Sequence, residues 1–200
     1  MSLRRRLLNT WLRAVEKPRI RRATHPAPLR KALEMQSKFF FHAPRGTDKS
    51  WVKLGAVDAL EMRPAGSEAS SKVVFYIHGG GFTFGSPRTH AAMAAQLAKR
   101  VGARAILPQY GLAPENPYPA APDDVRNAWD GLLAQGVSPS DVVIGGDSAG
   151  GALAFGLLAD LVGKNESLPA AVFGFSPLTD LTHSGASFEA NAESDVVLPA

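Results

Sequence analysis

An α/β architecture with a mainly parallel sheet flanked by helices is what this sequence predicts, and three observations carry the prediction. Short apolar runs rich in β-branched and aromatic residues alternate with stretches of helical periodicity. Two of those runs end in glycine-rich loops, as buried parallel strands do where they lead into a following helix. And 200 residues at 45% hydrophobic content suffice for one sizeable core.

The elements follow in order. Residues 56–62 alternate apolar and polar side chains, and Pro64-Ala65-Gly66-Ser67 closes them with turn chemistry, which reads as a strand. Residues 73–77 form a buried strand ending at His78-Gly79-Gly80-Gly81. A helix is expected over 89–101, with Met93, Leu97 and Val101 on one face. A strand at 104–108, a Pro-rich loop at 112–122, a helix at 123–135 and a strand at 141–144 repeat the pattern. A helix at 149–161, a break at 163–169 and a strand at 170–175 complete it. Such alternation places the chemistry on loops at the carboxyl ends of the strands. There is no internal repeat and no low-complexity tract.

Charge is unevenly spread. The net charge is +4, yet residues 1–31 hold ten Lys/Arg and one acid, Glu16, and the rest of the chain is net acidic. The whole-domain basic footprint of a nucleic-acid binder is absent. Within the basic arm, Leu3, Leu7, Leu8, Trp11, Leu12 and Val15 recur at helical spacing, with Arg4, Arg5, Arg6 and Arg13 largely on other faces, until Pro18 intervenes. An amphipathic helix of this kind lies on an anionic membrane or covers an apolar pocket, and one short helix over 1–17 favours the cover. The arm has no apolar signal region after its arginines, and no run approaches the ~18 apolar residues of a membrane span, so the cytoplasm is the expected location. Without cysteine, disulfides, thiolate metal sites and cysteine nucleophiles are excluded, and no metal or cofactor is expected.

Two motifs carry chemistry. Gly146-Asp147-Ser148-Ala149-Gly150-Gly151 stands between an expected strand and an expected helix, the context that a Gly-x-Ser-x-Gly turn requires. Glycines two residues either side remove the Cβ atoms that would block so sharp a turn, leaving the Ser148 hydroxyl exposed as a nucleophile. An ordinary phosphate-binding turn is the alternative, but no Gly-Lys-Ser/Thr follows and Asp147 would repel an anion. His78-Gly79-Gly80-Gly81-Phe82 lies after the earlier buried strand, where consecutive glycines let backbone amides converge on a developing oxyanion. Triple glycine alone also fits a flexible loop, and His78 reads as bracing that loop rather than as a base. The conjunction of both turns at the ends of two strands points to acyl transfer.

These segments resemble the hormone-sensitive-lipase-like branch of the α/β hydrolases, the bacterial family IV carboxylesterases with an HGGG motif. The match runs through His78–Phe82, Tyr110-Gly111-Leu112-Ala113-Pro114-Glu115 with Asn116-Pro117-Tyr118-Pro119-Ala120-Ala121, Gly146–Gly151, and Ser176-Pro177-Leu178-Thr179-Asp180-Leu181. The resemblance implies that Ser148 forms an acyl-enzyme with a small-molecule ester, of short or medium acyl chain, and that Gly80, Gly81 and Ala149 supply the oxyanion amides. It implies further that residues 1–48 form a helical cap segment and 49–200 a partial catalytic domain. Gln109 and Gly111 depart from the family's Asp-Tyr-Arg, which puts a local ion pair in doubt. Glu115 and Asp123 read as loop and helix-cap residues.

The triad of such enzymes runs Ser, Asp/Glu, His along the chain, and only 52 residues follow Ser148. The resemblance places both partners further on, so the chain is expected to be a C-terminally truncated piece, inactive or weakly active alone. Among later residues, Asp160 falls inside a helix and Asp195 in a cap-like segment, leaving Asp180 and His183 as a substitute acid and base. The strand at 170–175 is expected as an open edge, which invites homodimer formation. A non-catalytic small-molecule binding protein of the same fold, and a membrane-surface lipase, are the alternative functions.

Overall fold

The computed structural model describes residues 2–23, 25–182 and 184–196. The chain divides into two compact units, one from Arg30 to Thr179 and the other from the segments before and after it.

The larger unit is built on a six-stranded sheet. Strands β1 (Asp48–Leu54) and β2 (Val57–Arg63) form an antiparallel hairpin around Gly55, whose φ of 60° suits the turn. Only β2 was legible as a strand in the sequence. Most of β1 is exposed, so it carries little of the apolar patterning that marks a strand. Strands β3 (Val73–Ile77), β4 (Arg104–Pro108), β5 (Val142–Asp147) and β6 (Ala171–Phe175) follow, giving the order β1-β2-β4-β3-β5-β6. The sheet is mixed: β4, β3, β5 and β6 run parallel, while β2 pairs antiparallel with both β1 and β4. The parallel half carries both glycine loops, and β6 lies at its edge.

Alternation along β3 divides the core between the two faces of the sheet. Phe75 and Ile77 join Ile106, Ile144, Trp129 and Leu132 on the side of α5 (Ala120–Ala134) and α6 (Ala149–Gly163). Phe75 meets Trp129 edge-on, ring centres 6.2 Å apart. Each such fully buried side chain contributes roughly 2 kcal/mol of apolar transfer. Val74 and Tyr76 pack on the other face, against α4 (Pro87–Arg100). That helix buries Ala91, Ala94, Ala95 and Ala98 rather than the expected Met93 and Val101, which are exposed. Small side chains let the helix approach the sheet closely, and close approach outweighs the bulk of the other face.

Two helices begin earlier than the sequence pattern suggested. Ser86 caps α4, accepting from Thr89 N at 3.3 Å while Thr89 Oγ1 accepts from Ser86 N at 2.9 Å, and Pro87 occupies the first turn, where its missing N–H costs nothing. Helix α5 takes in Pro122 in its first turn for the same reason.

In the smaller unit, α1 (Leu3–Trp11) passes through a π-helical stretch (Leu12–Glu16) into α2 (Lys17–Arg22). Pro18 therefore does not end the helix as expected. The wider turn, with Lys17 N donating to Leu12 O, accommodates a residue that has no N–H and whose ring crowds the preceding turn. Lys17 Nζ donates to the carbonyls of Ala192 and Asp195 at 3.0 and 2.8 Å, just beyond the short helix α7 (Ala186–Ala190). Leu3, Leu7, Leu8, Trp11 and Val15 are exposed. The helix between the units' first segments and β1, α3, spans Ala27–Phe40. Among the described residues no helix is long and apolar enough to cross a membrane.

Candidate active site

Register brings the two glycine loops together. β3 and β5 are parallel neighbours with Ile77 opposite Gly146, so the segments that follow leave the sheet side by side. They touch directly: Gly79 N donates to Asp147 Oδ1 at 3.0 Å.

Ser148 sits between β5 and α6 at φ 50° and ψ −120°, a strained backbone for any residue with a Cβ, and its side chain is exposed. The turn is possible because of the glycines around it. A Cβ on Gly146 would lie 2.4 Å from Gly150 O, and one on Gly150 would lie 2.1 Å from Ile77 O. The turn is pinned from the β6 side as well, where Ser148 N donates to Phe175 O at 3.1 Å and Leu178 N donates to Ser148 O at 2.9 Å. Ala149 opens α6, so its amide belongs to the first-turn donors that lack an intrahelical acceptor and sit at the positive end of the helix dipole.

The other loop turns through three successive residues of positive φ, Gly80 at 123°, Gly81 at 56° and Phe82 at 59°. Gly80 O accepts from Thr83 N and Phe84 N, both at 3.0 Å, and a Cβ on Gly80 would lie 2.1 Å from Phe84 O. His78 is sealed beneath the loop. It is 1% exposed, its Nδ1 lies 2.9 Å from Gly79 O, and its ring stacks on Tyr110 at 4.3 Å. Burial pushes its imidazole down to about 3, against the opposing pull of the Gly79 carbonyl, so the ring is neutral and Nδ1–H donates to Gly79 O. Tyr110 OH donates to His78 O at 2.7 Å. This is a brace and not a base.

Asp147 gathers three donors on one oxygen. Tyr76 OH and Gly79 N each lie 3.0 Å from Oδ1, and His90 Nε2 lies 3.4 Å away. Burial acts to raise its carboxyl, but the His90 hydrogen bond and charge, Tyr76 and the Gly79 amide outweigh it and hold the group below its ordinary value. Burial and the nearby carboxylate push the Tyr76 phenol up, so it remains a donor.

The Pro-rich loop is held by a residue at the end of the basic arm. Arg30 makes a two-pronged pair with Glu115 at 2.9 and 2.8 Å and donates to Thr83 O and Ala113 O, each at 2.7 Å. Where Gln109 and Gly111 leave no local ion pair, Arg30 and Glu115 supply one. Leu33, Ser37 and Phe41, with Gly80, Phe84 and Asp147, border a cavity of about 290 Å³ beside the glycine loop.

Asp180 is differently placed. Its Oδ1 accepts from Thr182 N and Oγ1 at 2.9 and 2.5 Å, and its Oδ2 from Ser184 N and Oγ at 2.9 and 2.6 Å. The Ser184 and Thr182 bonds hold its carboxyl well below the ordinary range. A carboxylate so fully engaged by its own turn is poorly placed to orient an imidazole. His183 lies outside the described residues. Asp160 pairs with Arg126 and Lys164. Among the described residues no cluster of His, Asp and Glu is arranged to hold a metal ion.

Tyr76, His90, Tyr110 and Arg30 were not marked for these roles by the sequence. Their partners lie tens of residues away along the chain, and no local pattern signals such pairings. The hydroxyls of Tyr76 and Tyr110 in otherwise apolar surroundings are the one available hint, since a buried phenol needs an acceptor.

Residues 74–200 match the model of a family described as alpha/beta hydrolase fold. The chain is 35% identical over 173 residues to an esterase of Acinetobacter venetianus, covering 86% of this chain and 56% of that protein. Among solved structures it is similar to EstE5 soaked with p-nitrophenyl butyrate, with a TM-score of 0.88 and 33% identity over 99% of this chain and 66% of that one. An esterase of the bacterial hormone-sensitive lipase family matches with a TM-score of 0.85 and 32% identity, over 96% of this chain and 64% of the other. The chain thus spans between about half and two thirds of the length of these three proteins. Matched by this family over residues 74–200 and by an esterase of the hormone-sensitive lipase family over nearly its whole length, the chain belongs to the α/β-hydrolase family, in its hormone-sensitive-lipase-like branch.

Proposed function

We propose that the chain carries the acyl-transfer centre of a carboxylic ester hydrolase, with Ser148 as nucleophile. One observation carries the reading: an exposed serine on a strained turn, bonded through Asp147 to a neighbouring glycine loop. Ser148 Oγ attacks the ester carbonyl carbon as a base takes its proton, and the carbonyl oxygen becomes an alkoxide. The amides of Gly80, Gly81 and Ala149 are assigned to that oxygen. Each such donor lowers the barrier by about 3 kcal/mol. Collapse of the alkoxide breaks the bond to the alcohol, which leaves with the proton, and water then releases the acid from the acyl-serine by the same steps.

No imidazole among the described residues hydrogen-bonds Ser148. His78 is sealed and neutral, and His90 is turned to Asp147. The base and its orienting acid are therefore assigned to none of them. Short to medium acyl esters are the proposed substrates. A similar esterase was soaked with a butyrate ester, which supports the short end of that range. The contribution of Leu33, Ser37 and Phe41 to the 290 Å³ cavity beside the glycine loop supports a covering role for residues 33–41.

A fluorophosphonate probe, applied to the protein with its catalytic acid and base present, tests the assignment. It is expected to form a covalent adduct on Ser148 that is absent in Ser148→Ala. Equal labelling of the variant, or ligand binding by the native protein with no labelling, would overturn it.

A further inference from the structure

Asp147 lies next to the nucleophile in sequence, yet its carboxylate points away from the reacting centre toward the glycine loop. Besides the Gly79 N bond to Oδ1, Asp147 Oδ2 lies 2.2 Å from where a Cβ on Gly79 would be. The carboxylate therefore rests edge-on against the Gly79 backbone, with no side chain between, and its orientation sets where that loop begins. Two side chains reach the same Oδ1 and fix the orientation with it, Tyr76 OH from β3 and His90 Nε2 from α4.

His90 is held as well. Its ring stacks on His78 at 5.6 Å and on Tyr76 at 6.3 Å, and its Nδ1 lies 2.8 Å from Thr89 Oγ1. Thr89 has one hydroxyl proton for two acceptors, His90 Nδ1 and Ser86 O, the latter at 2.8 Å. If it donates to Nδ1, the neutral imidazole carries its proton on Nε2 and donates to Asp147. If it donates to Ser86 O, Nδ1–H donates to Thr89, and only the imidazolium still has a proton for Asp147. The first arrangement, in which the cap of α4 donates to Nδ1, directs an Nε2–H at the carboxylate. The side chains of His90 and Asp147 are 21% and 28% exposed, so solvent screens part of their attraction.

From this geometry we infer that His90 is a positioning residue for acyl transfer: it aims the Asp147 carboxylate, and the carboxylate fixes the start of the Gly79–Gly81 loop beside Ser148. The inference rests on the proposed role of Ser148. Displacing catalytic donors by around 1 Å costs up to about 100-fold in rate, so the loop need only shift slightly for the effect to be measured.

The test is the second-order rate of fluorophosphonate labelling at Ser148, measured beside the urea midpoint of the same protein. His90→Ala is expected to label about 10- to 100-fold more slowly at an unchanged midpoint. His90→Gln, which keeps an N–H donor without the ring, is expected to recover to within about threefold of the native rate, and Tyr76→Phe to slow labelling by a few-fold. Native-rate labelling of His90→Ala overturns the inference, as does a slowing that tracks a lowered midpoint or that Gln does not relieve. Should His90→Ala not fold, native-rate labelling of Tyr76→Phe overturns it alone. Failure of the native protein to label would instead remove the role of Ser148 itself, so the two failures are distinct.

Discussion

Asp147 ends one parallel strand and Asp180 lies beyond the end of the next, and each carboxyl is held below its ordinary value, yet they are built for opposite purposes. Asp180 takes all four of its hydrogen bonds from residues two and four positions away and serves its own turn. Asp147 takes its bonds from β3, from the glycine loop and from α4, and so ties three separate parts of the chain to the serine turn. A local carboxylate records where the chain bends. A long-range one decides which loops face each other, and only the second kind builds a site.

The glycines of the two regions give the largest expected contrast. In Gly150→Ala the new Cβ would meet Ile77 O at 2.1 Å, backbone against backbone, so the variant is expected to lose more than about 3 kcal/mol of stability or to fail to fold. Gly185→Ala beside the Asp180 turn meets nothing nearer than Ser187 Oγ at 3.8 Å, and its denaturation midpoint is expected to shift by less than about 0.5 kcal/mol. Chemical denaturation of both variants compares them directly.

Acid separates the regions next. His78 titrates near 3 when folded and at 6.5 as a free side chain. Between those values the unfolded chain binds a proton that the folded one does not, so stability falls as pH drops from 6.5 toward 3, by up to about 1.4 kcal/mol per pH unit. Asp147 and Asp180 are shifted in the same direction but act lower on the pH scale. Their contributions are present above the ordinary value of 3.8 and vanish only as pH falls through their lower folded values. Urea midpoints between pH 7 and 4 are therefore expected to fall in the native protein and to stay much flatter in His78→Phe. A native midpoint that holds constant over that range would break the contrast.

The smallest effect sharpens it. Asp147→Asn keeps the shape but loses the charge facing His90, and is expected to slow fluorophosphonate labelling about tenfold. Asp180→Asn is expected to label within about twofold of the native rate. Equal slowing in both would return Asp180 to consideration as a partner of the nucleophile.

Much of the fold was legible because period-2 and helical patterns survive wherever one side of an element is buried. Strands β3 and β4 fall where their apolar runs placed them. Strand β1 was not legible, since its side chains are mostly in water and its identity comes from pairing with β2. Met93 and Val101 misled for a related reason: a bulky apolar face suggests a core, but the alanine face fits the sheet more closely. At the site, the glycine spacing around Ser148 was readable because sterics act within the motif. The His90–Asp147 and Tyr110–His78 contacts were not.

What the sequence determined unaided is local and steric: where the chain turns sharply, which residue stands at the apex, and which runs are apolar enough to be strands. Tertiary structure alone decided which of the polar side chains meet. A hydrogen bond between residues far apart in the chain depends on register and on helix approach, and neither leaves a pattern within a few residues of its partners.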